Sequence, residues 1–412
     1  MKFTRVFAFM ALAGLAGSAY ATNGYFSHGY GMSAKGMGGA GIAYPQDTLA
    51  AATNPAGMVH VGNRMDIGLE IFAPDRGFTA GGTSYDGNGS GMMESWFPIP
   101  EFGYNRMINN NMSFGVSVFG NGGMNTTYAD GDHPFTGFSG GTAGSTVGID
   151  LMQMFIAPTV AYKVNQQVSV GATLNLIAQS FESKGLGAFN QADNGKDYSY
   201  GASLRLGGLY QVNNAVTVGA TYQTKGNMSK FDDYAALFPN RGEFDIPANY
   251  GVGIAVKATD KLDIAFDVMR IEYEGVDVTG NLAKYSLFAL NQHGFGWEDQ
   301  TVFKLGAAYK YSSDLTLRAG LNYGKQPIEL PAAPVGNEDI GFDFNTLAPG
   351  VVETHLTLGF TKNLSADTSI TGSYMHAFNK EVSGTAGMIG GGATGQLEMS
   401  QNAFGLSYNK KF

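Results

Sequence analysis

The stretch Asn165-Gln166-Gln167-Val168-Ser169-Val170-Gly171-Ala172-Thr173-Leu174-Asn175-Leu176 decides the fold. Asn165-Gln166 reads as a tight turn. Beyond it, Val168, Val170, Ala172, Leu174 and Leu176 alternate with Ser169, Gly171, Thr173 and Asn175. A period of two belongs to a β-strand, whose successive side chains leave on opposite faces. One face is apolar and the other small and weakly polar. A strand of about ten such residues crosses a bilayer with its apolar face in lipid.

The pattern recurs along the chain. Met65, Ile67, Leu69 and Ile71 alternate with Asp66, Gly68 and Glu70, and Leu315, Leu317, Ala319 and Leu321 with Thr316, Arg318, Gly320 and Asn322. Fourteen such segments are expected near residues 63–73, 96–106, 111–120, 150–163, 167–179, 198–212, 215–225, 248–258, 261–273, 300–311, 314–325, 352–363, 367–378 and 401–412. An even number suits an up-and-down barrel. The links after even strands are very short: Asn109-Asn110-Asn111, Asn165-Gln166, Asn213-Asn214, Thr259-Asp260, Ser312-Ser313 and Ser365-Ala366. Those after odd strands run to about twenty residues or more, the asymmetry of outer-membrane barrels. The last strand places Phe404, Leu406, Tyr408 and the terminal Phe412 on one face, with Lys410 able to snorkel at the periplasmic end.

Composition agrees. Of 412 residues 60 are glycine, 12% are aromatic and only 14% are charged, where soluble domains carry about a quarter. There are no cysteines, which excludes a disulfide-stapled scaffold. Residues 1–21 read as a signal peptide, with Lys2 and Arg5 before the apolar run Val6 to Gly17 and an Ala19-Tyr20-Ala21 cleavage site. Without Lys2 and Arg5, 23 basic residues face 34 acidic ones, a net charge of -11. That balance argues against a nucleic-acid partner.

Residues 22–60 form the remaining segment ahead of the barrel at 61–412, and are expected to fold inside it as a plug. Asp47 can cap a short helix over Thr48 to Thr53, and Pro55 holds Asn54 out of the helical region. The inward faces are small, leaving room for an occupant. The inward cations Arg205, Lys304 and Arg318 face the acids Asp66, Glu70, Asp263, Asp267 and Glu353. They either pair with those acids or the plug, or receive a ligand carboxylate. Strand four is apolar on both faces, so Leu151 and Phe155 are candidates either to line a pocket for a hydrophobic molecule or to contact the plug. Pro158 predicts a local break in that strand, and Gly120, Gly122 and Gly123 a bend in strand three.

The run Gly36-Met37-Gly38-Gly39-Ala40-Gly41, then Asp47 through Asn54-Pro55-Ala56-Gly57, resembles the N-terminal plug of the FadL-type outer-membrane transporters of long-chain fatty acids and hydrocarbons. Trp297-Glu298-Asp299-Gln300, Phe303-Lys304-Leu305-Gly306, Ala157-Pro158-Thr159-Val160-Ala161-Tyr162 and Tyr374-Met375-His376-Ala377-Phe378 extend the resemblance over essentially the whole mature chain. It implies an all-β, fourteen-stranded transmembrane barrel with an N-terminal hatch in its lumen. It also implies passive transport of hydrophobic compounds and lateral release through a gap at a kinked third strand. Asn54, Pro55 and Ala56 match the hatch motif, and Gly120, Gly122 and Gly123 are the candidate kink. The family's carboxylate-binding positions match no motif here, so fatty acid and uncharged hydrocarbon both stand as cargo.

The expected partners are that cargo, outer-membrane lipid and lipopolysaccharide, with the protein a monomer. No cofactor or metal is expected: the six histidines lack metal spacing, and Gly36-x-Gly38-x-x-Gly41 follows no strand. The alternatives are a non-specific diffusion porin and an outer-membrane barrel esterase. The esterase would need a nucleophile motif that the sequence lacks.

Overall fold

The computed structural model describes residues 23–129, 133–138, 145–189, 191–283, 294–330 and 340–412. The leader expected at residues 1–21 lies outside them.

Fourteen antiparallel strands form the wall. The first seven are β1 (Arg64–Ala80), β2 (Phe97–Met107), β3 (Met112–Tyr128), β4 (Val147–Lys163), β5 (Val168–Lys184), β6 (Asp197–Gln211) and β7 (Val216–Gln223). The rest are β8 (Asn249–Lys257), β9 (Leu262–Ile271), β10 (Gln300–Lys310), β11 (Leu315–Gly324), β12 (Thr354–Asn363), β13 (Thr368–Ala386) and β14 (Ala393–Lys411). Each pairs with its sequence neighbour, and β14 returns to β1 from Arg64↔Lys411 to Ala80↔Gly395, closing the sheet. Closure satisfies backbone groups that an open edge would expose to hydrocarbon. Two short strands, Thr83–Asp86 and Asn227–Met228, pair above β1 and β6.

Alternation is kept as read. On β5, Ser169, Thr173 and Asn175 are buried inward while Val170, Leu174 and Leu176 are exposed outward. Tyr104 stacks on the terminal Phe412 at 5.5 Å, part of the aromatic girdle at the short-turn end. Strands β1, β3, β5 and β13 run past their expected upper ends, and β14 starts earlier than expected. Above the lipid belt β1 and β13 continue against β14, as in Ala386↔Ala393, and β3 and β5 against β4, as in Phe181↔Leu151. Freed from lipid, Asn379-Lys380-Glu381 no longer alternates by polarity, which is the signal the pattern needs. At Pro158 the ladder to β5 is interrupted between Ile156↔Leu176 and Thr159↔Thr173, the local break expected of a residue with no N–H.

Residues 23–62 fill the lumen. They comprise a helical turn Met32–Lys35, 3-10 turns Thr48–Ala52 and Pro55–Gly57, and a last turn Met58–Val61 that leads into β1. Asp47 accepts a hydrogen bond from Leu49 N at 3.0 Å, the expected cap, and Asn54 is extended at φ -147, ψ 105.

Candidate functional site: the hatch, the aromatic chamber and a gap in the wall

The hatch is seated on wall positions that lack a side chain. A Cβ on Gly171 would lie 2.4 Å from the Pro55 carbonyl carbon, and one on Gly207 2.0 Å from Asn54 Oδ1. Across the barrel a Cβ on Gly320 would lie 2.1 Å from the Met37 carbonyl carbon. The small inward faces read from the sequence are therefore the seat of residues 23–62. Asn54 works in both directions: Oδ1 accepts from Ala56 N at 3.1 Å, and Nδ2 donates to Ile42 O at 2.8 Å and to Gly208 O at 3.1 Å. Pro55 and Ala56 are buried against the wall beside it.

Charges lock the same seat. Asp267 Oδ2 accepts from Gly41 N at 2.7 Å and Ile42 N at 2.9 Å. Asp66 Oδ2 accepts from Thr48 N at 2.9 Å and is gripped by Arg64. Lys35 and Glu70 form a buried ion pair at 2.9 Å. The three inward cations also reach the hatch. Arg205 donates to Thr53 O at 3.2 Å, Lys304 to His28 O at 3.0 Å and Arg318 Nε to Gln46 Oε1 at 2.9 Å. Of the two roles open to them, plug contact is the one visible in the geometry. In the hatch itself, burial and the neighbouring Asp66 push the Asp47 carboxyl up to about 6. Burial, aided by Lys35, holds the His28 imidazole neutral, well below its usual range.

Above the hatch lies a packed aromatic cluster, the candidate chamber. Tyr25 packs on Tyr273 at 5.6 Å, Trp297 at 6.1 Å and Phe244 at 6.2 Å. Leu151 and Phe155 are buried in its wall, and Phe155 meets Phe119 at 5.4 Å. The outer loops roof it. Trp297 Nε1 donates to Asn345 Oδ1 at 2.8 Å, and Tyr128 Oη to Thr346 O at 2.7 Å.

Beside the chamber the wall is not fully laddered. β2 pairs with β3 only from Phe102↔Val118 to Met107↔Ser113. Phe97 to Glu101 remain paired to β1 but have no partner on β3. Two of these residues, Pro98 and Pro100, have no N–H to donate. Opposite them β3 carries an extra residue: its register with β4 shifts between Gly120 and Gly122, making Asn121 a bulge. From inside, Phe26 bridges Gly122, and a Cβ there would lie 2.1 Å from Tyr25 O. Gly120, Gly122 and Gly123 thus sit at an irregularity of β3. Pro98 and Pro100, which carry no signal of their own in the sequence, take on a role only opposite these glycines.

A cavity of about 260 Å³ lies at the other end, between Tyr44, Pro45 and His60 of the hatch and the starts of β5 and β7. Gln166, Gln167, Gln211 and Lys257 line it. A route straight down through the barrel would deliver an apolar solute into amides and charge.

The model of one family, described as outer membrane protein transport protein (OMPP1/FadL/TodX), matches residues 12–412. The chain belongs to this family. Solved structures agree on the FadL/TodX fold. The Pseudomonas putida toluene transporter TodX superposes with a TM-score of 0.70 at 19% identity, covering 93% of this chain and 99% of that one. The Ralstonia pickettii toluene transporter TbuX gives 0.68 at 20%, with 93% and 99% covered, and a Pseudomonas aeruginosa FadL homologue 0.69 at 17%, with 94% and 99%. No curated protein matches the sequence. As a FadL/TodX family member the chain is an outer-membrane β-barrel of the transport class.

Proposed function

We propose that this protein passes small apolar compounds, aromatic hydrocarbons first among them, from outside the cell into the chamber and sideways into the membrane through the β2–β3 gap. The observation that carries the proposal is the unladdered stretch Phe97 to Glu101 beside the Asn121 bulge. An apolar solute gains about 25 cal/mol per Å² on leaving water, and lateral exit never returns it there. The ring-lined chamber suits an aromatic cargo through edge and offset contacts. TodX and TbuX, which share the fold, are toluene transporters. Transport is passive, and consumption of cargo beyond the membrane drives it.

A carboxylated cargo is the second reading. Arg205 and Lys304 are buried, and neither has a carboxylate within 4 Å among the described residues. Competition between oleate and toluene for uptake separates the two.

The exit is tested by a cysteine pair, Pro100→Cys and Gly120→Cys, which face each other if the β2–β3 register is continued upward. The chain has no cysteines to interfere. Oxidation should stop toluene uptake into vesicles and a reductant should restore it. Undiminished uptake by the oxidised protein would send the cargo through the hatch instead. Ready swelling of the same vesicles in small sugars would make the protein a diffusion porin.

A further inference from the structure

The bulge on β3 is held from inside by a chain of hydrogen bonds that all run one way. Tyr30 of the hatch donates through Oη to Asn121 Oδ1 at 2.9 Å. Asn121 Nδ2 donates to Gln153 Oε1 at 3.0 Å, and Gln153 Nε2 to Gln179 Oε1 at 3.2 Å. Gln179 Nε2 donates to Phe244 O, in the outer loop between β7 and β8, at 2.8 Å. Asn121, Gln153 and Gln179 are all buried, between the apolar side chains of the chamber wall. An amide row in such a place costs free energy unless every member is bonded, so each link depends on the next.

Tyr30 is the only member on the hatch, and its position is double. Its hydroxyl holds the bulge, while its ring lies against Phe119 at 4.9 Å, and Phe119 continues to Phe155. An apolar guest entering between these rings competes with the Tyr30 ring for Phe119. If the ring moves, the hydroxyl leaves Asn121 and the row loses its first donor. Ser27 N also donates to Asn121 O at 3.0 Å and Gly123 N to Tyr25 O at 3.2 Å, so the hatch then holds the bulge through main-chain bonds only.

We infer that Tyr30 and Asn121 form a cargo-released latch, in which ring displacement by an apolar guest frees the β3 bulge and widens the gap to β2. The inference rests on the lateral-exit reading and names the positioning residues that couple chamber to gap. Neither residue touches the cargo chemically beyond ring contact, and neither is part of the Asn54-Pro55-Ala56 motif.

The test uses the same cysteine pair as a ruler. Toluene should slow disulfide formation between positions 100 and 120 roughly fivefold, the factor expected from one neutral hydrogen bond. Adding Tyr30→Phe keeps the ring and removes the donor. Cross-linking should then be slow with or without toluene, and uptake should reach half its maximum at lower toluene with little change in the maximal rate. Asn121→Ala should give the same pattern, with heat-modifiable gel mobility reporting that the barrel is folded. A full toluene response in both variants would overturn the latch while leaving lateral transport standing. No toluene response in the parent pair would overturn it as well. Failure of the reduced parent to take up toluene would remove the transport reading and the latch together.

Discussion

Gly207 and Asn54 are packed so closely that a Cβ on the glycine would sit 2.0 Å from Asn54 Oδ1. The adjoining Gly208 is different: the nearest atom to a Cβ there is Ser169 O at 3.9 Å. Gly207→Ala should therefore push the hatch motif off the wall, costing about 1–3 kcal/mol and raising ion leak in planar bilayers. Gly208→Ala, one residue away, should match the parent in both urea midpoint and conductance.

The buried pair Lys35–Glu70 fixes the first helical turn of the hatch to β1 at 2.9 Å. Removing one partner strands the other charge, so Lys35→Met or Glu70→Met alone should each cost about 3–5 kcal/mol. The double variant should recover most of that loss. A double-mutant cycle on unfolding free energy measures the coupling, and additive losses would show that the pair contributes nothing as a pair.

Acid should tighten the hatch. The Asp47 carboxyl is pushed up from 3.8 to about 6, first by burial and then by Asp66. Below about pH 4 the folded and unfolded chains both hold its proton. As pH rises through the window to about 6, the unfolded chain releases the proton while the folded chain keeps it, so stability falls. Acidifying from pH 7 to pH 5 should raise the amide-exchange protection factors, taken relative to the unfolded chain at each pH, over residues 47–57. Asp47→Asn should flatten that dependence, and an unchanged slope would place the titration elsewhere.

Repairing the wall should close the exit. Pro98→Thr and Pro100→Thr restore two donors to β2, and deletion of Asn121 returns β3 to regular register. The combined variant should resist urea better than the parent, because a ladder replaces an unpaired stretch. Its toluene uptake should fall to that of empty vesicles.

Trp297 offers an optical report on the chamber. It is one of two tryptophans, buried, bonded to Asn345 and packed on Tyr273 at 5.2 Å. With the exposed Trp96 changed to Phe, toluene should shift the emission of Trp297. Trp297→Ala should cost about 3–5 kcal/mol and loosen the roof.

The strands were legible because lipid on one side and a small-residue lumen on the other impose a strict period of two, as on β5. The hatch was legible because Asp47 and Pro55 announce local geometry whatever surrounds them. The roles of Arg205, Lys304 and Arg318 were left open, since a sequence does not tell a ligand from residues 23–62 of the same chain as the partner of a lumen cation. The gap lay between segments: Pro98 and Pro100 acquire meaning only opposite Asn121, and that juxtaposition depends on a register fixed lower down, between Phe102 and Val118. The amide row Asn121–Gln153–Gln179 was hidden for the same reason, its members falling on three different strands.

The two prolines of β2 have a further consequence, for the protein's neighbours. An unpaired strand edge invites another chain to add a strand, and a membrane dense with barrels supplies many candidates. Pro98 and Pro100 cannot donate to such an intruder, and the Asn121 bulge spoils the opposite edge for pairing. The seam can thus stay unladdered for the life of the protein without becoming a site where two barrels fuse.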